Sequence, residues 1–389
     1  MKKLIALLLA LCMLLSLAAC GSEAGSGESV VGGDVQEFQG GDTNLVNKDE
    51  LPHYKIAFSY ATFSDKLGMQ FKNAIQYLCD NYNCEAVFFE SGSGDERVTN
   101  IESVLAAGDI DGVITVGGTP AMVAVAQKYN VPYVLACGFP SLEEEVQGVA
   151  SYDVFLGGVV DDDVWAGEQL MNALYDAGVR KFCFSGLTLG FVKSHDDRTQ
   201  AMRDFIAEHT DMTLLADSYT MGEWANDVAS YAAAYPELEG IGFTAMADAV
   251  YQSLETEGLA DGSVKIAAVD ISSQTGTYFQ KGVQVWTCGG QYATAMVGWA
   301  ILYNYLIDGT RIIEDTTQPI IRQYIEITSY EEYEQYVKYV ENPLPTYDVD
   351  EIADMIHYFN PDVTYQDYLD DATSYTLEDV IARHSDQIE

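Results

Sequence analysis

From Tyr54 to Ile327 the sequence alternates between short apolar runs and longer segments whose apolar residues recur at helical spacing. Residues 55–59 form the first strand-like run, and apolar residues between 67 and 78 then share one helical face. The runs are continuously apolar, which is typical of parallel strands that helices cover on both faces. The pattern therefore predicts an α/β fold with parallel sheets.

Two series of these units are separated by an irregular stretch at 141–158. The 389 residues provide enough chain for two domains with their own cores. We therefore expect two doubly wound, Rossmann-like lobes. Their predicted strands lie at 55–59, 86–89, 112–116, 132–136, 181–185, 213–217, 241–244, 265–269, 283–287 and 322–327.

The chain is strongly acidic, with 60 acidic and 19 basic residues and a formal net charge of −41. Such a surface repels phosphate backbones and anionic lipid headgroups, so the charge argues against nucleic-acid binding. The 26 tyrosines argue against disorder. Cys79 and Cys84 bracket a predicted helix-to-strand turn, where a disulfide and two free thiols are both compatible with the spacing.

The first twenty residues have the order of a secretory signal: Lys2 and Lys3, an apolar stretch, and small residues before Cys20. The run from Leu17 to Cys20 resembles the bacterial lipoprotein box, which implies cleavage before Cys20 and its acylation. An ordinary signal with an incidental cysteine is the alternative. We expect residues 1–19 to be a signal peptide and the protein to be lipid-anchored on the extracytoplasmic face of the cell membrane.

Two segments flank the alternating region. Residues 20–52 are rich in glycine, serine and acids and are expected to form a flexible tether. Residues 329–389 begin with tyrosines at every third position, Tyr330, Tyr333, Tyr336 and Tyr339, which predicts an amphipathic helix with an aromatic stripe. We expect this acidic, tyrosine-rich appendage to pack on the body, with a partner-binding surface as the alternative.

The order of elements from Tyr54 to Tyr330 resembles the type I periplasmic binding proteins, the ribose- and galactose-binding receptors of ABC transporters. The residues that carry the resemblance are spread along the chain: 55–58, 108–114, Asp162-Asp163 with Ala166-Gly167, 194–198, Trp224 and Val269-Asp270. The family's three-segment hinge implies crossings near 148–158, 270–272 and 306–311. The implied lobes are 53–155 with 271–307 and 156–270 with 308–328.

In open parallel sheets, ligands bind at the carboxyl ends of the strands. By resemblance to sugar receptors, Trp224 corresponds to an aromatic stacking platform, Arg198 to a hydroxyl-binding arginine, and Asp270 to a carboxylate that accepts hydroxyl hydrogens. Gln291 corresponds to a glutamine near the hinge, although its spacing differs by one residue. Two alternatives remain open: Trp224 as a core residue, and Arg198 as a partner of Asp196 or Asp197.

The sequence departs from the sugar pattern at three positions. Cys137-Gly138-Phe139 stands where many sugar receptors have an aspartate-arginine pair, and Met246 stands where they have asparagine. Phe63 lies close to the position of the first-lobe aromatics. The first two changes remove polar groups, which favours a less hydroxylated ligand such as a nucleoside, a deoxy sugar or an aromatic metabolite. A sugar remains the first expectation because of the resemblance.

The expected function is that of a solute-binding receptor for an ABC permease, with no catalysis, cofactor or metal. A sensor for a membrane kinase or chemoreceptor is one alternative, and a surface-anchored hydrolase that uses residues 194–197 is another. The five histidines show no metal-ligand spacing. Helix N-capping explains the three aspartates at 161–163 better than calcium, since a calcium loop has alternating acids and a central glycine.

Overall fold

The computed structural model describes residues 35–90 and 95–388. Cys20 and the predicted signal peptide lie outside these residues. The described strands form two sheets, and their bounds are β1 (Tyr54–Tyr60), β2 (Cys84–Glu90), β3 (Gly112–Val116), β4 (Tyr133–Ala136), β5 (Phe155–Asp161), β6 (Lys181–Leu187), β7 (Thr213–Thr220), β8 (Gly240–Phe243), β9 (Lys265–Val269), β10 (Gln284–Gly289), β11 (Ile320–Arg322) and β12 (Ile325–Ile327).

A short 3₁₀ helix, Lys48–Glu50, precedes the first strand. The α-helices of the described residues are α1 (Lys66–Asn81), α2 (Asp95–Ala106), α3 (Pro120–Tyr129), α4 (Glu143–Ala150), α5 (Asp163–Asp176), α6 (Lys193–Glu208), α7 (Trp224–Ala234), α8 (Asp248–Thr256), α9 (Thr275–Gln280), α10 (Tyr292–Asp308), α11 (Tyr330–Tyr339), α12 (Val349–Asp354), α13 (Tyr365–Ser374) and α14 (Leu377–His384). Within the described part of the chain, none of these helices has the length and apolarity needed to cross a bilayer.

Both sheets have the doubly wound strand order that the sequence predicts. The first sheet has the order β2-β1-β3-β4-β5-β11, and the second has the order β7-β6-β8-β9-β10-β12. All neighbouring strands are parallel except β10 and β12, which are antiparallel. The inner strands are buried on both faces, as continuously apolar runs require. The α/β fold with two Rossmann-like lobes is thus confirmed.

The chain crosses between the sheets at other places than expected. β5 lies in the first sheet, so the first crossing follows Asp161, and β10 lies in the second sheet, so the second crossing follows Gly289. The third crossing lies between β11 and β12, at Gln323 and Tyr324. The expected crossings at 148–158, 270–272 and 306–311, and the lobe boundaries based on them, are therefore wrong.

The physical reason for these errors is a strand that the pattern did not reveal. Gly157 and Gly158 interrupt the apolar run of β5, so the stretch 141–158 has the composition of a loop. The predicted strand at 322–327 is in fact two short strands that belong to different sheets. Both errors moved the expected lobe boundaries.

The C-terminal segment 329–388 is an integral part of the first lobe. Tyr336 and Tyr339 of the predicted stripe are buried against the first-lobe core, together with Ile352 and Tyr368. Arg322 at the end of β11 is fully buried and pairs with Asp371 of α13. The packing interpretation of the appendage agrees with these contacts.

Residues 36–51, which belong to the expected tether, lie on the body. The backbone N–H of Gln39 donates to the carbonyl oxygen of Pro343 over 2.7 Å. The Asp350 carboxylate accepts from the N–H groups of Asn44 and Leu45 at 2.8 and 2.9 Å. Polar composition alone did not reveal that acidic side chains of the C-terminal segment bind this backbone.

Candidate functional site

A cavity of about 540 Å³ lies between the two lobes, at the carboxyl ends of the strands. This is the edge at which open parallel sheets bind ligands. A smaller cavity of about 360 Å³ adjoins it and shares part of its wall. The first lobe contributes the loops after β1, β3 and β4, and the second lobe contributes residues 187–195, Arg198 and Asp270.

Two residues in the cavity wall have strained backbones. Cys137 follows β4 with φ of 54°, and Asp270 follows β9 with φ of 74°. Left-handed backbone costs free energy for residues other than glycine, and it concentrates at functional sites. Gln291 links these two turns: its Nε2 donates to Asp270 Oδ1 over 2.5 Å, and its carbonyl oxygen lies 3.6 Å from the Cys137 Sγ.

Arg198 is held in the wall by a set of hydrogen bonds that uses most of its donors. Its Nε and Nη2 lie 2.9 and 2.7 Å from Asp163 Oδ1. Nη1 donates to the carbonyl oxygen of Thr244 over 2.6 Å, and Nη2 also donates to the Tyr324 hydroxyl over 2.7 Å. The guanidinium charge is therefore already neutralised by Asp163, so Arg198 orients the site more than it attracts an anion.

Helix packing places Arg198 at this point. A Cβ atom at Gly167 of α5 would lie 2.7 Å from the carbonyl oxygen of Arg198, which is closer than real Cβ contacts. Glycine at 167 thus lets α5 and α6 approach. Asp162, which caps α5 by accepting from the Trp165 N–H over 3.0 Å, fixes the start of the same helix.

Asp161 lies at the base of the cavity, where the first crossing begins. Its Oδ1 accepts from the Thr294 hydroxyl over 2.6 Å, and only 6% of the residue is exposed. Burial raises the pKa of Asp161 to about 7, and the neighbouring Asp163 adds to this shift, while Thr294 and Arg322 oppose it. The residue therefore changes its charge near neutral pH.

His195 faces the same cavity and stays neutral there. Burial, assisted by the nearby Arg198, lowers the pKa of His195 to about 3. Its Nδ1 lies 2.7 Å from the Thr244 hydroxyl. Burial also raises the pKa of Asp270. The second-lobe wall thus combines a neutral imidazole with a carboxyl group whose burial disfavours its charged form.

Four of the seven predicted ligand-binding residues line the cavity: Phe139, Arg198, Asp270 and Gln291. Phe139 is seated by Gly158, since a Cβ atom there would lie 2.8 Å from the Phe139 ring. The aromatic side chains that share its lobe's wall are Tyr60 and Phe71.

Phe63, Trp224 and Met246 do not line the cavity. The Phe63 ring packs on Phe88, with ring centroids 5.5 Å apart. Trp224 and Met246 belong to the second-lobe core, and the indole Nε1 of Trp224 donates to the carbonyl oxygen of Gly186. The expectation that Trp224 is the stacking platform is corrected to a core residue that supports His195, on which its ring stacks.

Sequence reasoning missed several wall residues. Phe191 lies in the loop after β6, lines the cavity and is 47% exposed. The apolar residues around it in the sequence do not indicate which way its side chain points. Arg97 and Asp161 add charged groups, and Tyr324 adds a hydroxyl. Arg97 precedes the predicted third strand by fifteen residues, so only tertiary packing brings it to the cavity.

The residues at 194–197 do not form a catalytic triad among the described contacts. His195 is bonded to Thr244, and Asp196 accepts from the Gly190 N–H at 3.0 Å. One cluster of potential metal ligands lies elsewhere in the described chain, formed by Asp348, Glu351 and His384. Its carboxylates are occupied by the α12 capping box and by Arg383.

The pH dependence of stability tests the environment of Asp161. An unfolded aspartate has a pKa of about 3.9, whereas that of Asp161 in the fold is about 7. The protonated carboxyl is therefore favoured in the folded state, and its contribution to stability is complete below about pH 4 and is lost as the pH rises through about 7. We expect Asp161→Asn to gain stability relative to wild type over this range, by at most about 4 kcal/mol. Urea unfolding at several pH values measures the difference.

Asp176→Asn changes an exposed residue, so its free energy of unfolding should follow that of wild type at every pH. The same pH dependence in Asp161→Asn and wild type would contradict the raised pKa of Asp161.

Comparisons with protein-family models and with curated protein sequences give no match. Solved structures do match: a periplasmic sugar-binding protein from Pseudomonas fluorescens has a TM-score of 0.65 at 12% identity, over 84% of this chain and 99% of its own. An ABC transporter periplasmic solute-binding protein from Actinobacillus succinogenes 130z with bound D-allose has a TM-score of 0.60 at 17% identity, over 73% of this chain and 100% of its own. A solute-binding protein from Bacillus halodurans C-125 with bound myo-inositol has a TM-score of 0.60 at 15% identity, over 72% and 97%. This chain therefore has the fold of the type I periplasmic binding proteins.

Proposed function

We propose that this protein is an extracytoplasmic solute-binding receptor of an ABC transporter, which closes its two lobes on a small polyhydroxylated ligand. The observation that carries the proposal is the cavity between the lobes, with polar groups from both sheets in one wall. A ligand that contacts both lobes stabilises the closed state, because its contacts are complete only there. The closed form is then the signal that a membrane permease recognises.

The chemistry of the wall favours a sugar or polyol over the apolar ligands that the sequence left open. The Asp270 carboxylate can accept hydrogen bonds from ligand hydroxyls. The Tyr324 hydroxyl and Arg97 are further polar groups in the wall, and they compensate for the aspartate-arginine pair that this sequence lacks. Tyr60, Phe71 and Phe139 provide apolar surface for the faces of a sugar ring. The bound D-allose and myo-inositol of the two compared proteins are ligands of this type.

Thermal unfolding of a soluble chain that starts at Gly21, against monosaccharides, polyols, nucleosides and amino acids, tests this proposal. A ligand at about one hundred times its dissociation constant should add about 2.7 kcal/mol of stability. Asp270→Asn removes a charged acceptor, which is worth about 1.5 to 3 kcal/mol, and should weaken binding at least tenfold. Asp176→Asn is the matched control and should bind normally. A broad panel without any stabilising ligand would overturn the receptor function.

We also propose that Cys20 is the lipid attachment site. Residues 36–51 lie on the body, so about fifteen residues remain between Cys20 and the packed chain. At about 3.3 to 3.6 Å per residue, they reach at most about 50 Å, which keeps the receptor close to a permease.

Fractionation of cells that express Cys20→Ser tests the anchor. We expect this variant in the soluble extracytoplasmic fraction, since it has no thiol for acylation. Cys12→Ser changes another cysteine of the same leader and should leave the protein in the membrane fraction. Membrane retention of Cys20→Ser would contradict acylation at this residue.

A further inference from the structure

Arg97 of α2 contributes a fixed positive charge to the first-lobe wall of the cavity. Its Nη2 donates to the carbonyl oxygens of Val116 and Gly117, at 2.7 and 2.8 Å. These bonds hold the guanidinium against the loop after β3. Its Nε is shielded from solvent and has no hydrogen-bond partner among the described residues. A buried N–H group without a hydrogen-bond partner costs free energy.

Arg97 also has no carboxylate partner among the side chains that the structure describes. None of the described carboxylates lies within ion-pair distance of Arg97, Arg203 or Arg311, whereas Arg180, Arg198 and Arg322 each pair with one and Arg383 pairs with two. Of the three unpaired arginines, Arg97 is the one that lines the cavity. Acidic residues outnumber basic residues threefold in this sequence, so a shortage of carboxylates does not explain why Arg97 lacks a partner. Burial lowers the pKa of Arg97, but an arginine stays protonated in proteins.

The other two cations of the cavity already have partners. Lys193 pairs with Asp197, and Arg198 pairs with Asp163. Arg97 is therefore the single cation in the described wall whose charge is left for a ligand. Asp270 on the second-lobe side and Gln291, just after the second crossing, offer hydrogen-bonding groups suited to hydroxyls.

We propose that the ligand is a sugar acid, whose carboxylate binds Arg97 and whose hydroxyls bind Asp270 and Gln291. This inference rests on the proposed receptor function and names the class of its ligand. Guanidinium and carboxylate groups match in charge and in hydrogen-bond geometry. A neutral sugar leaves the Arg97 charge uncompensated. A sugar phosphate carries a charge of about −1.5 to −2, which exceeds one arginine in a cavity that also holds Asp161 and Asp270.

Matched pairs of ligands test the proposal by isothermal titration calorimetry on the soluble chain from Gly21. The pairs are glucose with glucuronate and gluconate, and galactose with galacturonate, with glucose 6-phosphate as the phosphate probe. We expect at least one acid to bind ten or more times more tightly than its neutral parent. Arg97→Gln should weaken that acid at least tenfold and its neutral parent less than threefold, so that the preference disappears.

Two further variants control for folding and for general charge. Arg97→Lys retains the charge without the fork of donors and should bind the acid with intermediate affinity. Arg203→Gln removes an exposed arginine outside the cavity and should retain the wild-type preference. A thermal unfolding midpoint close to wild type without ligand shows that each variant is folded.

The outcomes separate this inference from the proposed function. Tight binding of neutral sugars, nucleosides or the phosphate with no preference for an acid overturns the sugar-acid assignment and leaves the receptor function standing. Binding of none of the sugars, acids or other solutes overturns both. An acid preference that persists unchanged in Arg97→Gln overturns the role of Arg97.

Discussion

The two sheets face each other across a cavity because the chain passes between them at three neighbouring places, and hydrogen bonds tie these places together. Asp161 at the first crossing accepts from Thr294, just after the second. Tyr324 at the third crossing donates to Asp163 over 2.8 Å. Arg198 donates hydrogen bonds to both Asp163 and Tyr324. The three crossings and the cavity wall therefore share the same side chains.

The C-terminal segment adds a second constraint on these crossings. The Tyr375 hydroxyl donates to the carbonyl oxygen of Gly290 over 3.1 Å, and the N–H of Gln323 donates to the carbonyl oxygen of Ala372 over 2.9 Å. Two of the three crossings are thus covered by residues 329–388. The hinge of this protein is more enclosed than two lobes alone would make it.

The sequence predicted the features that depend on local pattern, and it failed where side-chain direction and strand pairing decide. Continuously apolar runs revealed most parallel strands, while the glycines of β5 concealed one strand and displaced the expected crossings. Resemblance identified Arg198, Asp270, Gln291 and Phe139 as residues of the cavity wall. It placed Trp224 there wrongly, because a tryptophan at the start of a helix packs into the core or faces the cavity depending on tertiary contacts. Arg97 escaped notice because its loop contact lies twenty residues away.

Hydrogen exchange of the backbone amides, with and without a bound ligand, tests the central claim that one ligand occupies the cavity and contacts both lobes. We expect slower exchange in both walls at once, in the loops at 117–119 and 137–141 of the first lobe and at 187–195 of the second, with little change in the strands of the outer edges. Protection confined to one lobe, or located on the C-terminal segment instead of the cavity, would contradict it.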